Sequence, residues 1–203
     1  MRNPQAAVYD PDAAPKRRLV VVGNGMAGAR TVEEILARGG GDVFDVTMIG
    51  DEPYGNYNRI MLSHVLSGEA STVDDDLMLN PMSWYRDNDV TLHVGDRAVT
   101  LDRFAKTVTC ESGRTVPYDQ LIVATGSNTF FPNMDGLRAP DGRLGSGVFG
   151  FRTIEDTNGM LQMAQSRDGV HAVVIGGGLL GIEAAYGLSK RGMDATVVHL
   201  MDV

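Results

Sequence analysis

Apolar and polar positions alternate along this chain in two distinct periods, and the places where the period changes predict its elements. Short apolar-rich runs at 19–22, 44–49 and 121–124 read as strands, that at 121–124 of the buried type. A helical spacing over 26–38 puts Val32, Ile35 and Leu36 on one face, and Gly39-Gly40-Gly41 stops it. Residues 53–64 read as a turn leading into a short helix, and 81–88 as a helix with Pro81 in its first turn. Short strands at 90–94, 97–102 and 107–110 suggest a small antiparallel excursion inserted before the strand at 121–124. Residues 130–150 are loop-rich. A helix over 153–165 follows, with Glu155 and Asp156 in its first turn, where the helix dipole favours negative charge. From 171 to 200 the opening pattern returns: an apolar run, a helix with Ile182, Ala185 and Leu188 at helical spacing, and a second apolar run.

Each of the two apolar runs that open a strand–helix–strand unit leads directly into glycines. Leu19-Val20-Val21-Val22 precedes Gly23-Asn24-Gly25-Met26-Ala27-Gly28, and Ala172-Val173-Val174-Ile175 precedes Gly176-Gly177-Gly178-Leu179-Leu180-Gly181. In this pattern the first Gly makes the tight turn, the second lets the backbone approach a pyrophosphate, and the third lets helix pack on strand. The pyrophosphate then sits at a helix N-terminus, where unpaired N–H groups and the dipole favour negative charge. A third match, Gly145-Ser146-Gly147-Val148-Phe149-Gly150, has no strand before it and no helix after it, and is expected to be a loop. Two dinucleotides in succession imply electron transfer between them.

Asp51 and Glu52 follow the second strand, where a carboxylate hydrogen-bonds an adenosine ribose; Glu52 is favoured, and two solvated loop charges are the alternative. Arg59 could pair with a cofactor phosphate or stand as a surface arginine. Ala124-Thr125-Gly126 ends a buried-type strand, with Gly126 permitting a tight turn and a close backbone approach.

Composition narrows the class. With 203 residues, 43% of them hydrophobic, the chain suits one or two domains. A net charge of −8 argues against general nucleic-acid binding. No apolar run approaches the length of a membrane span. The polar, Pro-containing start lacks a secretory signal and is expected to be a disordered tail over 1–17, with a cytoplasmic location as the default. Cys110 is the single cysteine, read as a small packed hydrophobe, so no disulfide relay, iron–sulfur cluster or zinc site is expected. His64, His93, His171 and His199 form no recognisable dyad and are expected to be structural or surface residues.

Taken together, Val20-Val21-Val22-Gly23 through Glu33, Gly50 through Ser63 (GDEPYGNYNRIMLS), Leu121 through Ser127 (LIVATGS), Val148 through Thr153 (VFGFRT) and Val173 through Ala185 (VVIGGGLLGIEAA) resemble the pyridine nucleotide-disulfide reductase superfamily of FAD/NAD(P)-binding oxidoreductases. More narrowly, GNGMAGARTVEE and GNYNR are similar to the N-terminal part of the large subunits of assimilatory NAD(P)H nitrite reductases.

The resemblance implies an α/β chain with two Rossmann-like folds, the first carrying a small antiparallel β insertion and the second truncated. An FAD-binding domain would cover 18–135, a linker 136–152, and the start of an NAD(P)-binding domain 153–203. It also implies that Gly23, Gly25, Met26, Ala27 and Gly28 hold the FAD pyrophosphate, with Glu52 on its ribose and Arg59 near its phosphates. Ala98 would meet the adenine through its backbone, and Ala124, Thr125 and Gly126 would turn beneath the flavin. Gly176, Gly178, Leu179, Leu180 and Gly181 would hold the NAD(P)H pyrophosphate, with Glu183 near the nicotinamide.

The implied activity is hydride transfer from NAD(P)H to FAD as the electron-input module of a nitrite reductase. The acceptor would be a downstream iron–sulfur/sirohaem module or a small redox protein. Alternatives are an inactive nucleotide-binding module or a reductase of rubredoxin or ferredoxin. The pattern departs from the family where related ferredoxin reductases carry Lys and this chain has His64. It departs again near His199, where an acidic ribose reader would leave a clear NADH or NADPH preference. Finally, the sequence stops at Val203, just past the second strand of the NAD(P) fold, so the module is expected to be incomplete.

Overall fold

The computed structural model describes residues 15–71, 77–166 and 171–200; Asp74, Asp75 and Asp76, residues 1–14 of the expected tail, and 201–203 lie outside them. In chain order the elements are β1 (Arg17–Val22), α1 (Met26–Ala37), β2 (Phe44–Ile49), β3 (Asn56–Tyr57), α2 (Leu62–Ser67), β4 (Met78–Asn80), α3 (Met82–Asp87), β5 (Val90–His93), β6 (Ala98–Asp102), β7 (Thr107–Cys110), β8 (Thr115–Pro117), β9 (Gln120–Val123), α4 (Ile154–Ser166), β10 (His171–Ile175), α5 (Leu179–Lys190) and β11 (Asp194–Val198). They fall into two compact units that do not follow sequence order. One comprises the described residues of Met1–Pro53 with Ser83–Ala124, the other those of Tyr54–Met82 with Thr125–Val203.

The first unit is a parallel sheet in the order β5-β2-β1-β9. Alternation along β1 sends its side chains to two different cores. Leu19 and Val21 pack with Val46, Met48 and Val90 against Ala29 and Val32 of α1 and Tyr85 of α3. Val20, together with Ile49, packs against Val108, Cys110, Val116 and Tyr118 of an antiparallel sheet, β6-β7-β8. A parallel sheet needs both faces covered, and here a helical layer covers one and the antiparallel insertion the other. Arg18 ties β1 to the turn before β9. Its guanidinium donates to Asp119 at 2.7 and 3.1 Å and its backbone N–H at 2.8 Å. That pairing raises the arginine pKa and holds the carboxyl far below the usual carboxylate range.

The sequence reading needs two corrections here. The strand expected at 90–94 is not part of the antiparallel excursion: β5 pairs parallel with β2, Val46 opposite Val90 through Ile49 opposite His93. The third antiparallel strand is β8, a three-residue element ending in Pro117, too short to register as a strand by periodicity. The run at 121–124 also differs from a buried-type strand: β9 lies at the edge of the sheet and leaves Val123 62% exposed.

In the second unit β3 and β4 pair antiparallel, with Asn56 Nδ2 donating to Asn80 Oδ1 at 2.8 Å among buried atoms. Tyr57, Leu62, Leu77 and Ile154 form one apolar cluster, and Leu66, Met160, Ala184 and Leu188 another. β10 and β11 are parallel, with α5 packed on their Ala172 and Val174 side. Helix α5 buries Leu188, as expected, but its inward face is rotated away from the expected Ile182 and Ala185. Ala184, Gly187 and Leu188 are buried, while Ile182 is 57% exposed. The reason is α2. A Cβ at Gly187 would lie 2.9 Å from the Leu66 side chain, so glycine sets the helix–helix approach. Arg191 then caps the last turn of α2, its Nε donating to Leu66 O and its Nη2 to Val65 O, both at 2.8 Å.

Candidate dinucleotide sites

Both glycine loops adopt the same backbone. Gly23 sits at φ +113° and Gly176 at φ +115°, a region that L side chains avoid. Gly25 and Gly178 are extended N-caps, at φ −80°, ψ −177° and φ −75°, ψ 175°. Gly23 N–H donates to Ile49 O and Gly176 N–H to Val198 O, each at 2.8 Å, so each loop is pinned to the end of the neighbouring strand. The third glycines are packing requirements: a Cβ on Gly28 would collide with Gly23 O, and one on Gly181 with Gly176 O. At Gly25 and Gly178 a Cβ would meet nothing within 4 Å. Each second glycine therefore keeps an open backbone face at a helix N-terminus, where the N–H groups of the first turn lack intrahelical acceptors. That is the shape and polarity a pyrophosphate needs, and the residues fit a dinucleotide at both places. The third glycine match has neither flanking element: Gly145–Gly150 is irregular chain, as expected.

Different side chains steady the two loops. In the first, Asn24 Oδ1 accepts from the hydroxyl of Tyr85, a residue 2% exposed, at 2.7 Å. Asn24 also lies over Gly50, where a Cβ would come within 2.9 Å of the asparagine Cβ. In the second, the loop position is Gly177 and the residue after the strand is His199, whose Nδ1 accepts the Gly177 N–H at 3.1 Å. Sequence reading missed all of these partners. The Asn24–Tyr85 pair spans 61 residues and leaves no local pattern.

Of the remaining residues expected at the first site, Ala124 lies against the loop, 3.5 Å from where a Gly28 Cβ would be, with its N–H on Val22 O. Met26 and Ala27 form the first turn of α1. Glu52 is half-buried on the turn after β2, its carbonyl accepting Gly95 N–H at 3.0 Å. Ala98 opens β6 and is half-buried. Arg59, Thr125 and Gly126 belong to the other compact unit. There Arg59 donates to Tyr57 Oη at 2.8 Å and to Arg152 O at 2.9 Å, its guanidinium 4.9 Å from the Tyr57 ring centre. Thr125 is exposed, and Gly126 has φ +71° with the Arg152 guanidinium beside it. At the second site Leu179 and Leu180 are exposed on the first turn of α5, and Glu183 is half-buried on the next.

Among the described residues no group of three His, Cys, Asp or Glu side chains could hold a metal ion, and no helix is long and apolar enough to cross a membrane. Cys110 is buried, and burial pushes its thiol pKa up, away from reactivity.

Residues 17–203 match the family described as pyridine nucleotide-disulphide oxidoreductase, and the chain belongs to that family. It is 46% identical over 184 residues to the assimilatory nitrate reductase electron transfer subunit of Bacillus subtilis (strain 168), covering 91% of this chain and 22% of that protein. It is likewise 46% identical over 185 residues to a nitrite reductase (NAD(P)H) of the same organism, again covering 91% and 22%. Among solved structures, the NAD-dependent persulfide reductase from A. fulgidus aligns with a TM-score of 0.80 at 26% identity, over 91% of this chain and 34% of that one. The chain thus spans about a fifth of the length of these two Bacillus relatives. FAD and NAD(P)H are the cofactors that the family indicates.

Proposed function

We propose that the chain is the electron-input module of a nitrite reductase large subunit, working in the cytoplasm, with FAD at the first glycine loop and NAD(P)H at the second. The observation that carries this is the pair of glycine loops with one backbone geometry, each on its own strand and helix. Residues 18–135 would form the FAD-binding domain and 153–203 the start of the NAD(P)-binding domain, joined by 136–152.

When bound, NAD(P)H would supply a hydride and FAD would accept it, and the protein's part would be to bind and orient both. Gly23, Gly25 and Gly28 would hold the FAD pyrophosphate together with the first-turn N–H groups of Met26 and Ala27. Glu52 would accept from the adenosine ribose, Ala98 would offer backbone to the adenine, and Ala124 would follow β9 beside the same glycine loop. Gly176, Gly178, Leu179, Leu180 and Gly181 do the same for the pyrophosphate of NAD(P)H, with Glu183 toward its nicotinamide end. The acceptor would be an iron–sulfur/sirohaem module or a small redox protein.

The test is a visible spectrum of the purified chain after reconstitution with FAD, followed by anaerobic addition of NADH or NADPH. Bound flavin that bleaches supports the reading. A chain that binds no flavin refutes it, and flavin that stays oxidised removes the second site from it.

A further inference from the structure

The turn that carries Glu52 has no helix or long strand of its own to hold it. It is fixed instead by three backbone hydrogen bonds to the segment after β5. Gly50 N–H donates to His93 O at 2.8 Å, Asp96 N–H to Gly50 O at 3.0 Å, and Gly95 N–H to Glu52 O at 3.0 Å. The segment 93–96 is therefore the mould for the Glu52 turn, and what fixes 93–96 fixes Glu52.

Asp96 does the fixing. It is only 7% exposed, and a buried carboxylate is costly unless its acceptors are filled. Here they are filled from the antiparallel insertion. Ser112 donates its N–H at 3.1 Å and its hydroxyl at 2.7 Å, and Arg114 donates Nε–H at 3.2 Å. Arg114 Nη1 continues to His93 Nδ1 at 3.1 Å, so both ends of the 93–96 segment are held by the β7–β8 turn. These bonds keep the Asp96 carboxyl below the usual carboxylate range, the Ser112 hydroxyl contributing most.

We propose that Asp96 is a positioning residue for the adenosine end of the first dinucleotide site, acting through the 93–96 segment on Glu52. This rests on the assignment of Glu52 and the first glycine loop to FAD. Asn at 96 keeps the shape of the side chain but sets an amide N–H₂ against the donors of Ser112 and Arg114. The segment loosens, and Glu52 loses its fixed approach to the ribose.

The experiment uses the full 203-residue chain. FAD is titrated by the quenching of its fluorescence and ADP by calorimetry, in wild type, Asp96→Asn, Ser112→Ala, Glu52→Gln and the double variant E52Q/D96N. Asp119→Asn serves as a control that opens the distant Arg18 pair and lowers stability without moving either affinity. Asp96→Asn is expected to weaken FAD and ADP alike by about 10-fold, and Ser112→Ala by about 3-fold. In the Glu52→Gln background the Asp96→Asn penalty is expected to shrink to under about 3-fold, the coupling of residues that act as one unit. An undiminished penalty in that background, or none in wild type, overturns the positioning role while leaving the FAD assignment standing. A wild-type chain that binds neither FAD nor ADP overturns both. If Asp96→Asn does not fold, Ser112→Ala with and without Glu52→Gln measures the same coupling, and an undiminished Ser112→Ala penalty overturns the positioning role in the same way.

Discussion

The loop after β1 and the loop after β10 reach one backbone conformation by opposite side-chain choices. The first puts Asn24 on the loop and the small residue, Gly50, at the end of the facing strand; the second puts the small residue, Gly177, on the loop and His199 at the strand end. In each pair the loop and the next strand end lie close: a Cβ on Gly50 would come 2.9 Å from the Asn24 Cβ, and one on Gly177 3.0 Å from the His199 ring. The difference lies in what steadies the larger residue. Asn24 is anchored inward by the buried Tyr85 hydroxyl, whereas His199 is exposed and holds Gly177 by a single N–H. The first loop is thus built into its core, and the second is fastened at the surface. A dinucleotide held permanently suits the first arrangement, and one that must exchange suits the second.

The heaviest blow to this comparison is a methyl group at either third glycine. Gly28→Ala and Gly181→Ala each drive a Cβ into a backbone carbonyl, at a cost of about 1–3 kcal/mol for an overpacked site. Misplacing the loop should weaken its nucleotide about 100-fold. Gly28→Ala should lose FAD from the purified protein. Gly181→Ala should keep FAD but fail to saturate with NAD(P)H in stopped-flow reduction. Loss of the same ligand from both variants breaks the assignment of one nucleotide to each loop.

A gentler probe removes the side-chain anchors. Tyr85→Phe deletes the hydroxyl on Asn24 and should cost about 1 kcal/mol in urea denaturation together with a few-fold loss of FAD affinity. His199→Ala frees Gly177 N–H at an exposed site. It should raise the KM for NAD(P)H about 3-fold and leave both stability and FAD retention unchanged. Equal stability losses in the two variants contradict the contrast between a buried and a surface fastening.

Protonation gives a probe of the first unit. Burial, then the charge of Arg114, lowers the His93 pKa below its ordinary value, so the unfolded chain binds more protons than the folded one in the window between that lowered value and about 6.5. Stability contributed by keeping His93 neutral is complete above about pH 6.5 and falls as pH drops through that window. His93→Gln should flatten the change in urea midpoint between about pH 7.5 and 5.5. Asp96 and Asp119, both depressed, contribute fully at neutral pH and lose their contribution only as pH falls below about 4, through their folded values. The smallest effect belongs to the third glycine match. Gly145→Ala meets only ordinary contacts, the nearest a carbonyl oxygen at 3.4 Å, and should shift neither nucleotide affinity, with stability within about 0.5 kcal/mol of wild type.

The glycine loops were legible in the sequence because their requirements are local: a strand, a turn at positive φ and a helix start, all within a dozen residues. The same locality made α1 readable, with Val32 inward and Gly39 ending it. The inward face of α5 was readable only at Leu188, because Gly187 beside it turns in to meet Leu66, more than a hundred residues earlier. Nor was the pairing of β5, since a short apolar run carries no mark of parallel or antiparallel partnership; that is set by which edge of the sheet is open. Tyr85, Asp96 and His199 escaped for the same reason: each steadies a loop to which only the fold connects it.

By itself, then, the sequence determined the family and the backbone course of the two glycine loops, because steric rules on glycine act over a few neighbouring residues. Only the tertiary structure decided which side chains hold those loops, how β5 and β8 divide between two sheets, and that segment 54–82 joins the later part of the chain in one compact unit. Those outcomes depend on buried contacts between residues far apart in sequence, and their energies exist only once the chain has closed on itself.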